Sequence, residues 1–272
     1  MSLDIAVPEL LLLPLIGAAV AGFGTAVGLG GGFIMVPILM FLYPDASPAT
    51  ITSISLTVVL LNALSATASN YREKRIDWRT ASLLILTALP ASVLGALVSG
   101  NVSRDTFQKL FGALLIIGAG YIFWKRAENF EGRGVHIPNR NMEDRHGGAF
   151  QFYVNELVAV GISPIGGFIS SFFGIGGGIV NTPAMIAILK IPPQIAGATS
   201  LAVLVPTSLT ALLTHVFSNQ YQEGLYVVGL LGIGSLIGAQ IGVYLVPRFG
   251  RRTILTALAF AMVVVGVVGL FN

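Results

Sequence analysis

"GLGGG" at residues 28–32 and "GIGGG" at 174–178 are nearly the same pentapeptide, set 146 residues apart and each in the middle of a long apolar stretch. Glycine is a weak helix former that leaves backbone exposed. Exposed N–H and C=O groups are costly in hydrocarbon unless protein or a cavity covers them. Two such clusters therefore mark two helix breaks that some use must offset.

The surroundings fix the class. The chain has 272 residues, 54% of them hydrophobic and only 10% charged, with a mean hydropathy of +0.84. A soluble domain carries about 25% charged residues, so this chain lacks the polar surface to face water. It is expected to be an all-α, multi-pass protein of a cell membrane, with the bilayer as its first partner. There is no cysteine, which excludes disulfides, thiolate catalysis and cysteine-bound metal. The opening "MSLDIAVPEL" has no Lys or Arg, so the basic region of a cleaved signal is missing and the amino terminus is expected to be mature. The pI near 9.3 is weighed against the positive-inside rule and not taken as a sign of nucleic-acid binding.

A helix needs about 20 apolar residues to cross a bilayer. Six stretches qualify: 48–70, 80–100, 106–124, 193–217, 225–246 and 253–271. Two others, 10–42 and 157–189, run to about 33 residues around the glycine clusters. As helix each would be about 50 Å long, too much for one pass without a large tilt. Each is either a broken crossing or a hairpin of two half-helices that leaves on the side it entered. The 15 Lys and Arg residues discriminate between these. With two hairpins, 13 basic residues fall on one side and only Arg104 and Lys109 on the other. With two full crossings, Lys190, Arg248, Arg251 and Arg252 change sides and the split becomes 9 to 6. The positive-inside rule favours hairpins, with both termini outside.

The glycine clusters belong to a larger repeat. "GLGGGFIMVP" at 28–37 matches "GIGGGIVNTP" at 174–183, "PATITSISL" at 48–56 matches "PQIAGATSL" at 193–201, and "ASVLGALVSG" at 91–100 resembles "GSLIGAQIGV" at 234–243. The halves are 1–126 and 151–272, each a glycine-broken re-entrant hairpin plus three crossings. Three is odd, so the second half starts on the opposite side and the repeats are inverted. Inverted repeats with interrupted helices are a common layout of secondary transporters, whose sites lie where the helices break. The charged segment 127–150 reads as a cytoplasmic linker, with His136 and His146 as solvated loop residues and no metal-ligand spacing. Tyr121, Trp124, Lys125 and Arg126 read as an interfacial belt at the inner end of their helix.

A glycine cluster in the first segment of each half, followed by a proline and then by "GATSL" at 197–201, resembles the sulfite exporter family TauE/SafE. The resemblance covers both halves and leaves out the linker. It implies a transporter, often an exporter, of sulfite, organosulfonates or related anions across the cytoplasmic membrane. The first half departs from the pattern, with Ile54–Ser55 where the second has Thr199–Ser200.

The residues point to an anion on their own account. A helix restarting after a glycine cluster offers unpaired N–H groups and about half a positive charge at its N-terminus, which an oxyanion can satisfy. The candidate cradle is Gly28, Gly30, Gly31 and Gly32 in one half and Gly174, Gly176, Gly177 and Gly178 in the other. The donors are expected from Gly31, Gly32 and Phe33, and from Gly177, Gly178 and Ile179. Thr25, Ser55, Asn62, Ser171, Asn181, Thr199, Ser200 and Thr207 are candidates to complete the shell, with Ser53 and Ser170 beside them. Serine and threonine in membrane helices also bond their own backbone.

No Lys, Arg or Asp lies inside the expected crossings away from their ends, so the site discriminates by donor geometry and has no carboxylate for a metal cation. Glu156, His215 and Glu223 are the ionisable residues near the membrane. Glu156 and His215 are candidates for proton coupling, against a plain interfacial role. Gly234, Gly238 and Gly242 recur every fourth residue, a small-residue groove that packs helices in the bundle or forms a homodimer seam. An enzyme is the weakest alternative. Phe33 stands at the third glycine of the dinucleotide fingerprint, no catalytic triad or HExxH is present, and no cofactor is expected. An anion channel with glycine-lined re-entrant loops, a carrier of small carboxylates, and a receptor without flux stay open as alternatives.

Overall fold

The computed structural model describes residues 7–126, 138–218, 225–245 and 251–271. The side chains of the expected belt at 121–126, linker residues 127–137 with His136, Glu223, Arg248, and the side chains of Arg251 and Arg252 lie outside the described part. The chain is helical nearly throughout: α1 (Val7–Ala26), α2 (Gly32–Leu42), α3 (Pro48–Arg72), α4 (Trp78–Ser99) and α5 (Arg104–Arg126) precede a two-stranded hairpin. After β1 (Arg140–Glu143) and β2 (Ala149–Phe152) come α6 (Glu156–Phe173), α7 (Gly178–Ala187), α8 (Pro193–Phe217), α9 (Leu225–Leu245) and α10 (Arg251–Phe271). Among the described residues, five helices, α3, α4, α6, α8 and α9, are long and apolar enough to cross a membrane.

The breaks at both long stretches fall where glycine allows a left-handed backbone. Gly28, Gly30 and Gly31 have φ of 76°, 76° and 80°, and Gly174, Gly176 and Gly177 have 70°, 68° and 37°. Other helix ends are set by polar caps. Ser47 accepts from the Thr50 amide ahead of Pro48, Asp77 from Thr80, and Asn155 from Val158, each satisfying an orphan donor of a first turn. Arg104 donates to the carbonyls of Met40, Tyr43 and Ala46 at 2.7, 3.2 and 2.8 Å. A cation at the end of α2 pairs with carbonyls that helix geometry leaves unpaired.

Small residues decide which helices pair. A Cβ on Gly234 would lie 1.9 Å from the Pro14 oxygen, one on Gly238 2.1 Å from the Ala18 oxygen, and one on Gly242 2.5 Å from the Gly22 oxygen. The rising register makes α1 and α9 parallel neighbours. The Gly234–Gly242 groove is thus filled by α1 of the same chain, which corrects the homodimer-seam alternative for that surface. Gly95 and Gly167 do the same for α4 and α6, against Phe168 and Ala88 respectively. The Ser163 hydroxyl donates to Leu84 O at 2.6 Å in the same register. Phe107 and Phe111 of α5 meet Phe173 edge-on at 5.3 and 5.4 Å, which fixes the end of α6 just before Gly174 in the main apolar core.

The linker is not all loop. Arg140–Glu143 pairs antiparallel with Ala149–Phe152, and Asn139 clasps Val154 through two hydrogen bonds of 2.8 and 2.9 Å. His146 is exposed, as a loop histidine is expected to be, but its Nε2 lies 2.9 Å from Glu73 Oε2 and not in solvent alone.

Candidate functional site

The two glycine tips meet. A Cβ on Gly32 would lie 2.6 Å from the Ile175 oxygen, and one on Gly178 2.6 Å from the Leu29 oxygen. Each half-helix therefore starts against the one apolar, side-chain-bearing residue of the opposite tip, Ile175 or Leu29. Both clusters are buried along their whole length. Val59 and Leu204 lie over both tips: a Cβ on Gly30 would meet Leu204 at 2.8 Å and Val59 at 3.6 Å, and one on Gly176 would meet Val59 at 2.4 Å and Leu204 at 3.0 Å. These two residues occupy equivalent places in the two halves, as do Thr52 and Gly197, which pack on Gly174 and Gly28. Sequence reading missed all four, because an apolar or small side chain carries no chemical signal of its position.

The expected backbone donors are present in unequal number. Gly32 and Phe33 open α2, so helix geometry leaves their amides without an intrahelical acceptor. In the second tip Gly177 donates to the Ser170 hydroxyl and Gly178 to the Gly176 carbonyl, so two of the three expected donors are taken in this conformation.

The side chains divide more sharply. In the first half Thr25 donates to Asn62 Oδ1 at 2.9 Å, and Asn62 Nδ2 donates to Gly30 O at 2.8 Å. Asn62 thus uses both ends of its amide to hold its own tip. Ser55 crosses to the other half and donates to Gly174 O at 2.7 Å. Thr182, beside Asn181 and not singled out by sequence, makes the reciprocal bond to Gly28 O at 2.5 Å. Thr207 bonds its own helix at Val203 O, 2.9 Å away. Thr199 accepts from the Asp77 amide at 3.0 Å, which ties it to the start of α4. Three candidates remain: Ser171 Oγ, Asn181 Oδ1 and Ser200 Oγ are buried and have no hydrogen-bond partner, in residues only 0, 3 and 0% exposed. A buried polar atom without a partner costs about 1–3 kcal/mol and calls for an explanation such as a ligand.

Of the ionisable candidates, Glu156 sits at the start of α6, whereas His215 lies beside Thr52, the residue that packs on Gly174 of the second tip. Glu156 pairs with Arg79 at 2.9 Å and Arg140 at 3.0 Å. Arg140 also pairs with Asp77 at 3.2 Å, so one guanidinium joins the start of α4, the hairpin strand and the start of α6. His215 is buried with its Nε2 3.4 Å from Thr52 Oγ1. Because Arg140 and Asp77 are 6 and 4% exposed, removing one partner strands the other charge. Arg140→Gln is expected to destabilise the protein by about 3–5 kcal/mol, read as a fall in melting temperature. The Asp77→Asn/Arg140→Gln double variant should lose less than the sum of the singles; strict additivity would show that the pair is not coupled.

A helical bundle with two buried, broken helices meeting tip to tip is a common layout of membrane transporters. The sulfite exporter TauE/SafE family model matches residues 13–269, and the chain belongs to that family. It is 28% identical over 264 residues to the probable membrane transporter protein YunE of Bacillus subtilis, covering 94% of this chain and 95% of the relative. It is 30% identical over 281 residues to a probable membrane transporter protein of Methanocaldococcus jannaschii, covering 96% of each. A TauE/SafE family protein 3 of Arabidopsis thaliana is 23% identical over 146 residues, 52% of this chain and 30% of that protein. No solved structure matches the chain.

Proposed function

We propose that this protein is a secondary transporter that exports a small sulfur-containing oxyanion, such as sulfite or an organosulfonate, across the inner cell membrane. Its halves, 1–126 and 151–272, act as inverted repeats around one anion held at the glycine tips. Both termini lie outside and the linker 127–150 inside. The pairings support this layout. Arg104 brings the end of α2 beside the start of α5, while Gly28 lies on Gly197 near the opposite end of α8. Glu156 and Arg79 put α6 and α4 together at their starts, while Gly174 lies on Thr52, near the far end of the molecule. Each broken stretch then returns to the side it came from, and the two enter from opposite faces.

The observation that carries the reading is the set of three buried, unpartnered atoms on Ser171, Asn181 and Ser200. Ser171 and Asn181 bracket the second tip, and Ser200 follows Gly197, which packs on the first. With the Gly32 and Phe33 amides that open α2, the Ser171 and Ser200 hydroxyls offer neutral donors suited to an anion that must be released again, while Asn181 Oδ1 can accept from a hydroxyl or protonated oxygen of the ligand. Alternating access would come from rocking one repeat against the other about the tip contact.

Reconstituted in liposomes, the protein should show saturable sulfite efflux and counterflow. Conductance far above carrier rates would instead make it a channel, and the absence of any flux with sulfite, sulfoacetate or small carboxylates would end the transport reading.

A further inference from the structure

A second cavity lies outside the tips, at the face of the molecule that carries the Arg140 network. It has a volume of about 490 Å³ and is enclosed by the end of α3 with Arg72 and Arg75, the turn between β1 and β2 with Arg145 and His146, and the last turns of α9 with Gln240 and Tyr244. Three guanidiniums line it against the single carboxylate of Glu73. Arg75 is only 3% exposed, yet its Nε has no acceptor. Its Nη2 reaches Glu73 and Asp144 only at 3.5 and 3.6 Å, too far for strong charge-assisted hydrogen bonds.

The Asp144 carboxylate is not free to move closer. Asp144 Oδ1 accepts from the His146 and Gly148 amides at 2.9 and 2.8 Å. Burial works to raise its pKa, but those two amides and the Arg75 charge outweigh it and hold the group below its ordinary 3.8. Glu73 Oε2 lies 2.9 Å from His146 Nε2 but is itself buried without a hydrogen-bond partner, so one carboxylate faces three guanidiniums. The end of α3 does not use the arginines as caps either, since Glu73, Lys74 and Arg75 donate their own amides to Ser69, Tyr71 and Asn70. A buried guanidinium with one unmet donor, beside two more guanidiniums, is short of an anion.

We propose that this cavity is a second binding site, for a tetrahedral oxyanion of the phosphate or sulfonate type, separate from the transport site. The group would accept from Arg75 inside and from Arg72 and Arg145 at the rim. The headgroup of an anionic lipid and a small soluble anion present the same chemistry. Tyr244, 67% exposed on α9, leaves the rim open toward the bilayer.

The test uses the full chain in nanodiscs and reads its melting temperature, because a ligand that binds only the folded state raises it. One arm titrates inorganic phosphate into phosphatidylcholine discs against chloride of equal ionic strength. The other compares phosphatidylcholine discs with discs containing phosphatidylglycerol. At least one arm should raise the melting temperature by several degrees, and which arm does so names the source. Arg75→Met strands the Asp144 charge beside it and costs fold stability, so the rim variant Arg72→Gln/Arg145→Gln is the informative one and should lose most of the shift. Ser200→Ala should keep it, separating this site from the tips. No shift in either arm, or a full shift in the rim variant, would overturn the proposal.

Discussion

Gly177→Ala is expected to cut sulfite flux at least about tenfold, equivalent to roughly 1.4 kcal/mol, in a protein that still folds, while Gly31→Ala loses flux and fold together. Both glycines sit in the left-handed region, at φ of 37° and 80°, where a side chain costs about 1–2 kcal/mol. The difference lies in what a new Cβ would meet. At Gly177 the nearest atoms are side chains, Asn181 Nδ2 at 3.2 Å and Leu204 Cδ2 and Ser170 Oγ at 3.5 Å, which can yield by small rotations. At Gly31 the nearest atom is the Val20 carbonyl oxygen at 2.8 Å, part of the α1 backbone, so α1 and α2 must separate. A methyl group on Gly177 therefore fills the space beside Asn181 at limited cost to the fold. Comparing proteoliposome efflux with thermal melts of the same preparations checks both halves of the expectation. Undiminished flux in folded Gly177→Ala would remove the second tip from the site.

The helices were legible because length and hydropathy alone delimit them. The 193–217 segment coincides with α8, and the others differ by a few residues at ends where caps decide. The breaks were legible because glycine clusters are rare inside apolar stretches and appear twice. The β hairpin was not, since its strands have four residues each and lie in a segment dominated by charge. The polar shell was legible as a list of residues but not as a set of roles. Ser55 and Ser200 look alike in sequence. Ser55 meets the Gly174 carbonyl of the other half, whereas on the opposite side Thr182 takes the Gly28 carbonyl. A hydroxyl's partner depends on which neighbour reaches the acceptor, and that is a property of the packed pair of halves. Likewise Glu156 read as an ionisable group near the membrane, and only the fold places two arginines on it.

That asymmetry yields an expectation in which stability and transport move in opposite directions. Ser200→Ala removes a buried hydroxyl without a partner, so the empty protein should be unchanged or slightly more stable, by up to about 1 kcal/mol, since no hydrogen bond is lost and a desolvated group disappears. Transport should nevertheless fall about tenfold or more if the hydroxyl donates to the anion, because one such bond to a charged group is worth roughly 1.5–3 kcal/mol. Ser171→Ala should behave in the same way. Ser55→Ala is the control. It breaks a 2.7 Å bond to Gly174 O and leaves a buried carbonyl short of its donor, so it should lower the melting temperature. Asn62→Leu should do so more strongly, because it strands both Thr25 and the Gly30 carbonyl. In a purely structural shell flux would follow stability, falling in the Ser55 and Asn62 variants and staying normal in the Ser200 and Ser171 variants. If the Ser200 and Ser171 variants melt higher or unchanged while their flux collapses, the unpartnered atoms belong to the substrate. If their flux is normal, the anion is held by the backbone of the tips alone.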